Sequence, residues 1–193
     1  DADFACVHAT LNNLPLYMEN AEKGGYVVYK YKSPRGSDEA YTFSRVPKDE
    51  ALASIYNDLR WNMAMSYAIN RTEVKEVVFL GTGVERQAAP NPEVSYFKKE
   101  WEDFCVEFDQ DKANQLLDEL GLDKRDGEGY RLRPDGQTLA PLIELTTETD
   151  SPTLDVTKLV SDHWKEAGVK VDYKVITREL LQTRALAGEV EIG

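Results

Sequence analysis

The side chains able to do chemistry are abundant in one class and scarce in the others. The 193 residues carry 35 Asp and Glu, 23 Lys and Arg, two His and two Cys. Two carboxylates at the right separation hydrolyse glycosidic bonds, but so many acids supply such pairs by chance. Asp123-Lys124-Arg125-Asp126-Gly127-Glu128-Gly129 has the outline of a calcium loop. An EF-hand loop needs oxygen ligands at its first, third and fifth positions and Gly at the sixth. Counting from Asp123, Arg125 and Gly127 fall on the third and fifth, so the segment reads as a turn. His8 and His163 cannot form a zinc or catalytic set without support, and His163, next to Trp164, reads as a packed boundary residue. Cys6 and Cys105 are either buried thiols or a pair. No G-x-S-x-G, H-E-x-x-H, C-x-x-C or Walker A pattern occurs, and Gly81-Thr82-Gly83 lacks the third glycine of a dinucleotide loop. No metal or cofactor is expected. What remains is binding chemistry. Tyr29, Tyr31 and Tyr41 offer stacking faces or cross-strand partners. Arg184, late in a helix, is a cation for an anionic group or a surface arginine.

The net charge of -12 argues against nucleic acid, which requires clustered Lys and Arg. It suits solubility and, more weakly, a cationic ligand or partner. Hydrophobic residues at 41% and charged residues at 30% fit an ordinary globular domain, and 193 residues allow one good core. No apolar run approaches the roughly 20 residues of a membrane span. The chain begins at Asp1 without a signal peptide and stops at Gly193, just after Val190-Glu191-Ile192, which reads as a strand. The expectation is a fragment of something longer.

The elements that must position these groups follow from pattern. Residues 1–20 read as irregular, with Pro15 breaking any helix. Residues 26–31 and 41–43 read as strands, and 47–56 as a short helix. Residues 59–71 form a helix apolar on almost every side, hence a central one. Asp58 caps it, and Thr72 caps the next helix, which ends before Gly81. Residues 96–104 read as helical. Asp109 caps an amphipathic helix with Ala113, Leu116, Leu117 and Leu120 on one face, and Gly121 stops it. Asp126-Gly127 and Asp135-Gly136 flank a small ribbon around residues 130–133. The last third reads β-α-β-α-β: a strand at 141–146, a helix through Val156, Leu159, Val160, Trp164 and Ala167, an alternating strand at 169–175, a helix at 177–187, and a strand opening at Val190. Strands joined through helices are parallel. Ligands bind beyond the carboxyl ends of such strands, which singles out loops 147–152 and 176–178.

An ordered series of segments resembles the family 5 solute-binding proteins of ABC importers, the oligopeptide and dipeptide type. Met63-Ala64-Met65, Ala68-Ile69 and Asn70-Arg71 fit its Arg-x-Ala-Leu/Met-x-x-Ala-Ile-Asp/Asn-Arg helix, although Asn62 replaces a frequent Arg. Gly81-Thr82-Gly83-Val84-Glu85 resembles the turn after it. Phe108-Asp109-Gln110-Asp111-Lys112-Ala113 with Leu116-Leu117 is similar to its Tyr-Asp-Pro-x-Lys-Ala helix. Gly129-Tyr130-Arg131-Leu132 with Pro134-Asp135-Gly136, and Trp164-Lys165-Glu166-Ala167-Gly168-Val169, follow in order.

The resemblance implies an α/β fold, a periplasmic-binding-protein type II-like lobe with a mostly parallel sheet flanked by helices and a small β-ribbon. Residues 1–193 would form a single ligand-binding lobe of a two-lobed protein, with 1–25 leading in from the other lobe. Ligand-binding candidates are Tyr41, Ser44, Thr147, Glu148, Thr153, Thr177 and Arg184. Glu148 and Thr153 stand at contacting positions, and Arg184 at an arginine that helps hold a peptide carboxylate. Thr177 stands where relatives can have a Trp lining a side-chain pocket, and Ser44 where an Asn commonly follows the Phe. The implied role is non-catalytic capture of a small solute, first an oligopeptide and second an oligosaccharide, for an ABC permease. The implied place is the periplasm or outer cell surface, with a lipid anchor in the full-length protein. The competing classes are a carboxylate-dependent hydrolase and an interaction module with an exposed apolar patch.

Overall fold

The computed structural model describes residues 13–30, 35–147 and 151–193. Helix α1 (Leu14–Gly24) forms where the pattern predicts irregular chain. Pro15 lies in the first turn, where the backbone N–H has no intrahelical acceptor, so the ring removes nothing. Gly25 closes the helix in the left-handed region at φ 66°. Residues 26–30, expected as a strand, have no regular structure, and Tyr31 lies outside the described residues. The β propensity of Tyr and Val is a preference for a half-buried pleated surface, and without a pairing strand it does not act.

Asp49 caps α2 (Glu50–Tyr56), accepting from the N–H groups of Ala51 and Leu52 at 2.9 and 3.2 Å. Asp58 caps α3 (Leu59–Tyr67), which buries Trp61, Ala64, Met65 and Tyr67. The expected single helix over 59–71 divides at Ala68. Asn70, not Thr72, starts α4 (Arg71–Val78), its side chain accepting from Glu73 N–H at 3.1 Å. The Thr72 hydroxyl donates instead to the Glu85 carboxylate. The expected 96–104 helix shrinks to α5 (Lys99–Asp103). Asp109 caps α6 (Gln110–Glu119) as expected, and Gly121 follows at φ 85°.

The ribbon at 125–138 closes through bridges Arg125–Arg131 and Leu132–Thr138. Arg131 is fully buried, donating to the carbonyls of Leu122 and Ala167 and to Asn114 Oδ1. It thereby ties the ribbon to α6 and to the end of α7 (Thr153–Glu166). The chain leaves α7 at Gly168, φ 87°, where an added Cβ would collide with the Arg125 guanidinium.

Strand β1 (Leu142–Leu145) pairs in parallel with β2 (Asp172–Val175), Leu145 opposite Val175. Ile192 bridges Ile143 in parallel and Phe43 antiparallel, so the sheet runs β2, β1, Ile192, Phe43. Only the outermost position opposes the rest. The core lies between this sheet and α2, α3, α6 and α7. At its centre Phe43, Tyr56, Trp61 and Trp164 form a ring cluster with centroids 5.3–5.7 Å apart, and Trp164 Nε1 donates to Met65 O at 2.8 Å. Helix α8 (Arg178–Leu186) follows β2 and buries no residue.

Candidate ligand-binding site

The sheet has two chemically different ends. The chain leaves β1 at its carboxyl end through Thr146 and Thr147, and Ser151 and Pro152 lead into the first turn of α7. The antiparallel segment before Phe43 brings residues 37–41 to the same end. There the Thr153 hydroxyl donates to Glu39 Oε1 at 2.7 Å and lies 2.7 Å from Ser151 Oγ. One turn on, Thr157 Oγ1 donates to Thr153 O at 2.7 Å and meets Tyr41 Oη at 2.9 Å. Burial raises the Tyr41 phenol to about 12, and Tyr41 also packs edge-on against Trp164. Burial raises the Glu39 carboxyl too, against the Thr153 hydrogen bond that lowers it. Thr147 and Thr177 each lie two residues beyond the paired Leu145 and Val175. Thr177 is exposed and caps α8, accepting from Leu180 N–H at 3.3 Å.

Arg184 and Ser44 lie toward the other end. Arg184 Nε and Nη2 donate to the two oxygens of Glu144, at 2.8 and 3.2 Å, and Nη1 donates to Glu189 at 3.1 Å. Glu144 is 2% exposed. Its position in β1 places it on the face opposite Ile143 and Leu145, so Arg184 closes that face from α8. Ser44 N–H donates to Glu191 O at 2.8 Å. A depression of about 230 Å³ opens here, lined by Pro47, Lys48, Asp49, Arg184, Glu189 and Glu191. Lys48 bonds Glu189 at 2.7 Å and holds its carboxyl below the usual range. Burial raises Glu191, whose carboxylate accepts Leu142 N–H.

Of the seven sequence-derived candidates, the structure gathers Tyr41, Thr147, Thr153 and Thr177 at the carboxyl end and places Ser44 and Arg184 apart from them. Glu148 lies outside the described residues. Glu39 was not among the candidates. A single Glu in a polar loop carries no local signal, and its partner Thr153 is 114 residues away.

The remaining reactive groups have structural partners. Asp126 accepts the N–H groups of Glu128 and Tyr130 and the Thr138 hydroxyl, which is turn chemistry. His163 is buried, 2.8 Å from Glu73, and joins α7 to α4. Cys105 is buried, while Cys6 and His8 lie outside the described residues. Among the described residues no group of three His, Cys, Asp or Glu could hold a metal ion, and no helix is long and apolar enough to cross a membrane.

A parallel α/β sheet with polar side chains gathered beyond its strand ends is a binding architecture of the periplasmic-binding-protein kind. The chain belongs to the bacterial extracellular solute-binding proteins, family 5, whose "Middle" model matches residues 5–193. These are the solute-binding components of ABC transporters. An oligopeptide-binding protein OppA superposes with a TM-score of 0.84 at 39% identity, covering 95% of this chain and 29% of that one. Lactococcal OppA, complexed with an endogenous peptide in the closed conformation, gives 0.61 at 21% identity over 95% and 38%. The periplasmic binding protein MelB from Agrobacterium fabrum C58, in complex with stachyose, gives 0.73 at 13% over 94% and 29%. The chain thus spans about a third of the length of these relatives. A search of curated protein sequences gives no match. The matched family and structures are binding proteins.

Proposed function

We propose that residues 1–193 form one ligand-binding lobe of a two-lobed receptor, with residues 1–25 leading in from the other lobe. The receptor captures a small oligopeptide without breaking bonds and hands it to an ABC permease. The observation that carries this reading is the polar rim beyond β1 and β2. Its groups sit where an opposing wall would complete a cleft. Thr147, Thr153, Thr177 and Tyr41 form the wall, to which the family resemblance adds Glu148, outside the described residues. Thr177 leaves a roomier side-chain pocket than a bulky aromatic residue would. Ser44, the remaining ligand-binding candidate, stands toward the other end of the sheet, where its N–H donates to Glu191 O. Arg184 lies apart from this wall, paired with Glu144 and Glu189, and takes the carboxylate-holding role that the resemblance implies only on giving up one of these partners. The 39% identity to an oligopeptide-binding protein over 95% of this chain supports the peptide. Its setting is the periplasm or the outer cell surface, with a lipid anchor on the full-length protein.

An oligosaccharide is the second reading. The rim's hydroxyls, on Tyr41, Thr147, Thr153 and Thr177, suit a sugar, and the stachyose-bound MelB has the same fold.

Half a cleft lacks the second wall that supplies much of the burial. Titrated with tri- to pentapeptides, the 193-residue chain should bind no tighter than about millimolar, roughly -4 kcal/mol. The whole gene product should bind micromolar or tighter, with circular dichroism confirming that both are folded. A micromolar constant for the chain alone sinks the half-cleft reading. No binding of peptides by the whole protein sinks the peptide.

A further inference from the structure

We infer that helix α1 and residues 26–30 dock on the opposing lobe of the same polypeptide, α1 laying its apolar face against that lobe and residues 26–30 pairing there as a strand. The inference rests on the chain being one lobe of a two-lobed receptor.

Leu14, Tyr17, Met18 and Ala21 stand at i, i+3, i+4 and i+7, the stripe by which a helix faces a core. Yet α1 buries no residue, and Met18 is 56% exposed. An 11-residue helix is marginal in water by itself, and packing of such a face is what ordinarily stabilises it. Helices α2, α3, α4, α6 and α7 each bury two or more side chains. Helix α8 buries none, but Arg184 ties it to Glu144. Helix α1 has no such tie. Among the described residues, the hydrogen bonds of residues 14–30 stay within that segment.

Residues 26–30 are in the same condition. Tyr26-Val27-Val28-Tyr29 has a strong strand preference and no strand partner among the described residues, and Val27 and Tyr29 are both 70% exposed. The Tyr26 hydroxyl donates to Tyr17 O at 2.8 Å and holds the segment to α1. A helix without a core and a strand without a ladder, joined at Gly25, are two parts of one α/β unit that needs further chain to complete it.

The rest of the receptor supplies that chain. The OppA that matches 95% of this chain is covered over only 29% of its own length, so a polypeptide of that size holds a second sheet and core. A membrane surface fits less well. Interfacial helices carry Lys and Arg on their polar face, whereas α1 carries Glu19 and Glu22 against Lys23.

The test compares the whole gene product with the 193-residue chain, both without solute. Hydrogen exchange at the amides of residues 26–30 should be at least about a hundredfold slower in the whole protein, as a strand ladder requires. Met18→Gln keeps helix propensity and removes the apolar side chain. It should lower the melting temperature of the whole protein by roughly 3–8 °C and that of the 193-residue chain by less than about 1 °C. Unprotected amides in the whole protein, or equal shifts in the two, overturn the inference. Dimerisation of the 193-residue chain in sedimentation, or its pelleting with phosphatidylcholine–phosphatidylglycerol vesicles, also overturns it if Met18→Gln abolishes the effect, because the face then belongs to a second copy or to lipid. Should Met18→Gln fail to fold, the exchange rates decide. Peptide affinity is a separate readout. Micromolar binding by a whole protein with unprotected amides leaves the receptor reading standing, and protection without peptide binding keeps the docking and loses the peptide. A gene product with no second lobe overturns both.

Discussion

The two ends of the sheet are held by different kinds of hydrogen bond. Toward the amino end, Arg184 lies between Glu144 and Glu189, Lys48 reaches Glu189, and Arg133 reaches Asp49 at 2.8 Å. At the carboxyl end, Tyr41 meets Thr157, Thr157 meets the Thr153 carbonyl, and Thr153 meets Glu39. Charge-assisted bonds are roughly twice as strong as neutral ones; the first set joins ions of opposite sign, whereas in the second only Thr153–Glu39 has a charged partner, on one side. Opening the amino end therefore means separating ions, whereas a hydroxyl at the carboxyl end can turn from its present partner to a solute. One end is built to keep its shape and the other to change partners. The difference is a physical reason, independent of any relative, for proposing the solute site at the carboxyl end.

The largest effect should come from the side chain on which both ends rest. Trp164 is 1% exposed, packs against Tyr41 and Phe43, and donates to Met65 O. Trp164→Ala should lose about 3–5 kcal/mol of stability in a urea titration. It should loosen both ends together. Loss of solute binding in a variant of unchanged stability would mean that the carboxyl end depends on Trp164 in some other way.

Arg184→Met comes next and separates the ends. It leaves the Glu144 carboxylate buried without its guanidinium, which destabilises strongly when one partner of a buried pair is removed. The melting temperature should fall by roughly 5–10 °C. The same variant sharpens the role of Arg184. If it also clamps a peptide carboxylate, affinity for free-acid peptides should fall more than for their amides. Equal losses for both would confine Arg184 to supporting the sheet.

The sequence read well where the determinants are local. Asp109 and Gly121 bracket α6, and one apolar face lies between them, so every signal sits within a dozen residues. The β-α-β pattern from 141 to 175 succeeded for the same reason, and it placed Thr147 and Thr177 at adjacent strand ends. Failures arose where a local rule has a positional exception. Pro15 breaks a helix interior but fits a first turn, and Asn70 outcompetes Thr72 because the chain leaves helical geometry at Asn70. The site was half legible. Its hydroxyls followed from strand ends and from a family resemblance. Glu39 depends on a contact made only after the segment before Phe43 pairs beside Ile192 at the sheet edge, and no spacing in the sequence encodes that. Likewise Arg184 was legible as a cation but not as the partner of Glu144.

The smallest effects are those of pH, and they differ in sign between the two ends. At the amino end Lys48 lowers the Glu189 carboxyl below its usual value. The unfolded chain then binds the proton more readily, so this contribution is present above pH 4.5 and is lost as the pH falls through the lowered value. At the carboxyl end burial raises Glu39 above 4.5. Here the folded protein holds the proton more tightly, so the contribution is present at acid pH and is lost as the pH rises through the raised value. Tyr41 repeats that sign at alkaline pH. Its phenol, raised from 10.0 to about 12, keeps its proton in the fold while the unfolded chain gives its own up, and stability falls across that window. Melting temperatures of the wild type, Lys48→Met, Glu39→Gln and Tyr41→Phe, followed from pH 3 to 12, resolve the three contributions. Lys48→Met should reduce the loss on acidification. Glu39→Gln should be slightly more stable than the wild type at neutral pH and equal to it at low pH. Tyr41→Phe should flatten the alkaline limb. A Glu39→Gln variant less stable at neutral pH would mean that the carboxylate already has a cation in the empty protein, and the contrast between the two ends would disappear.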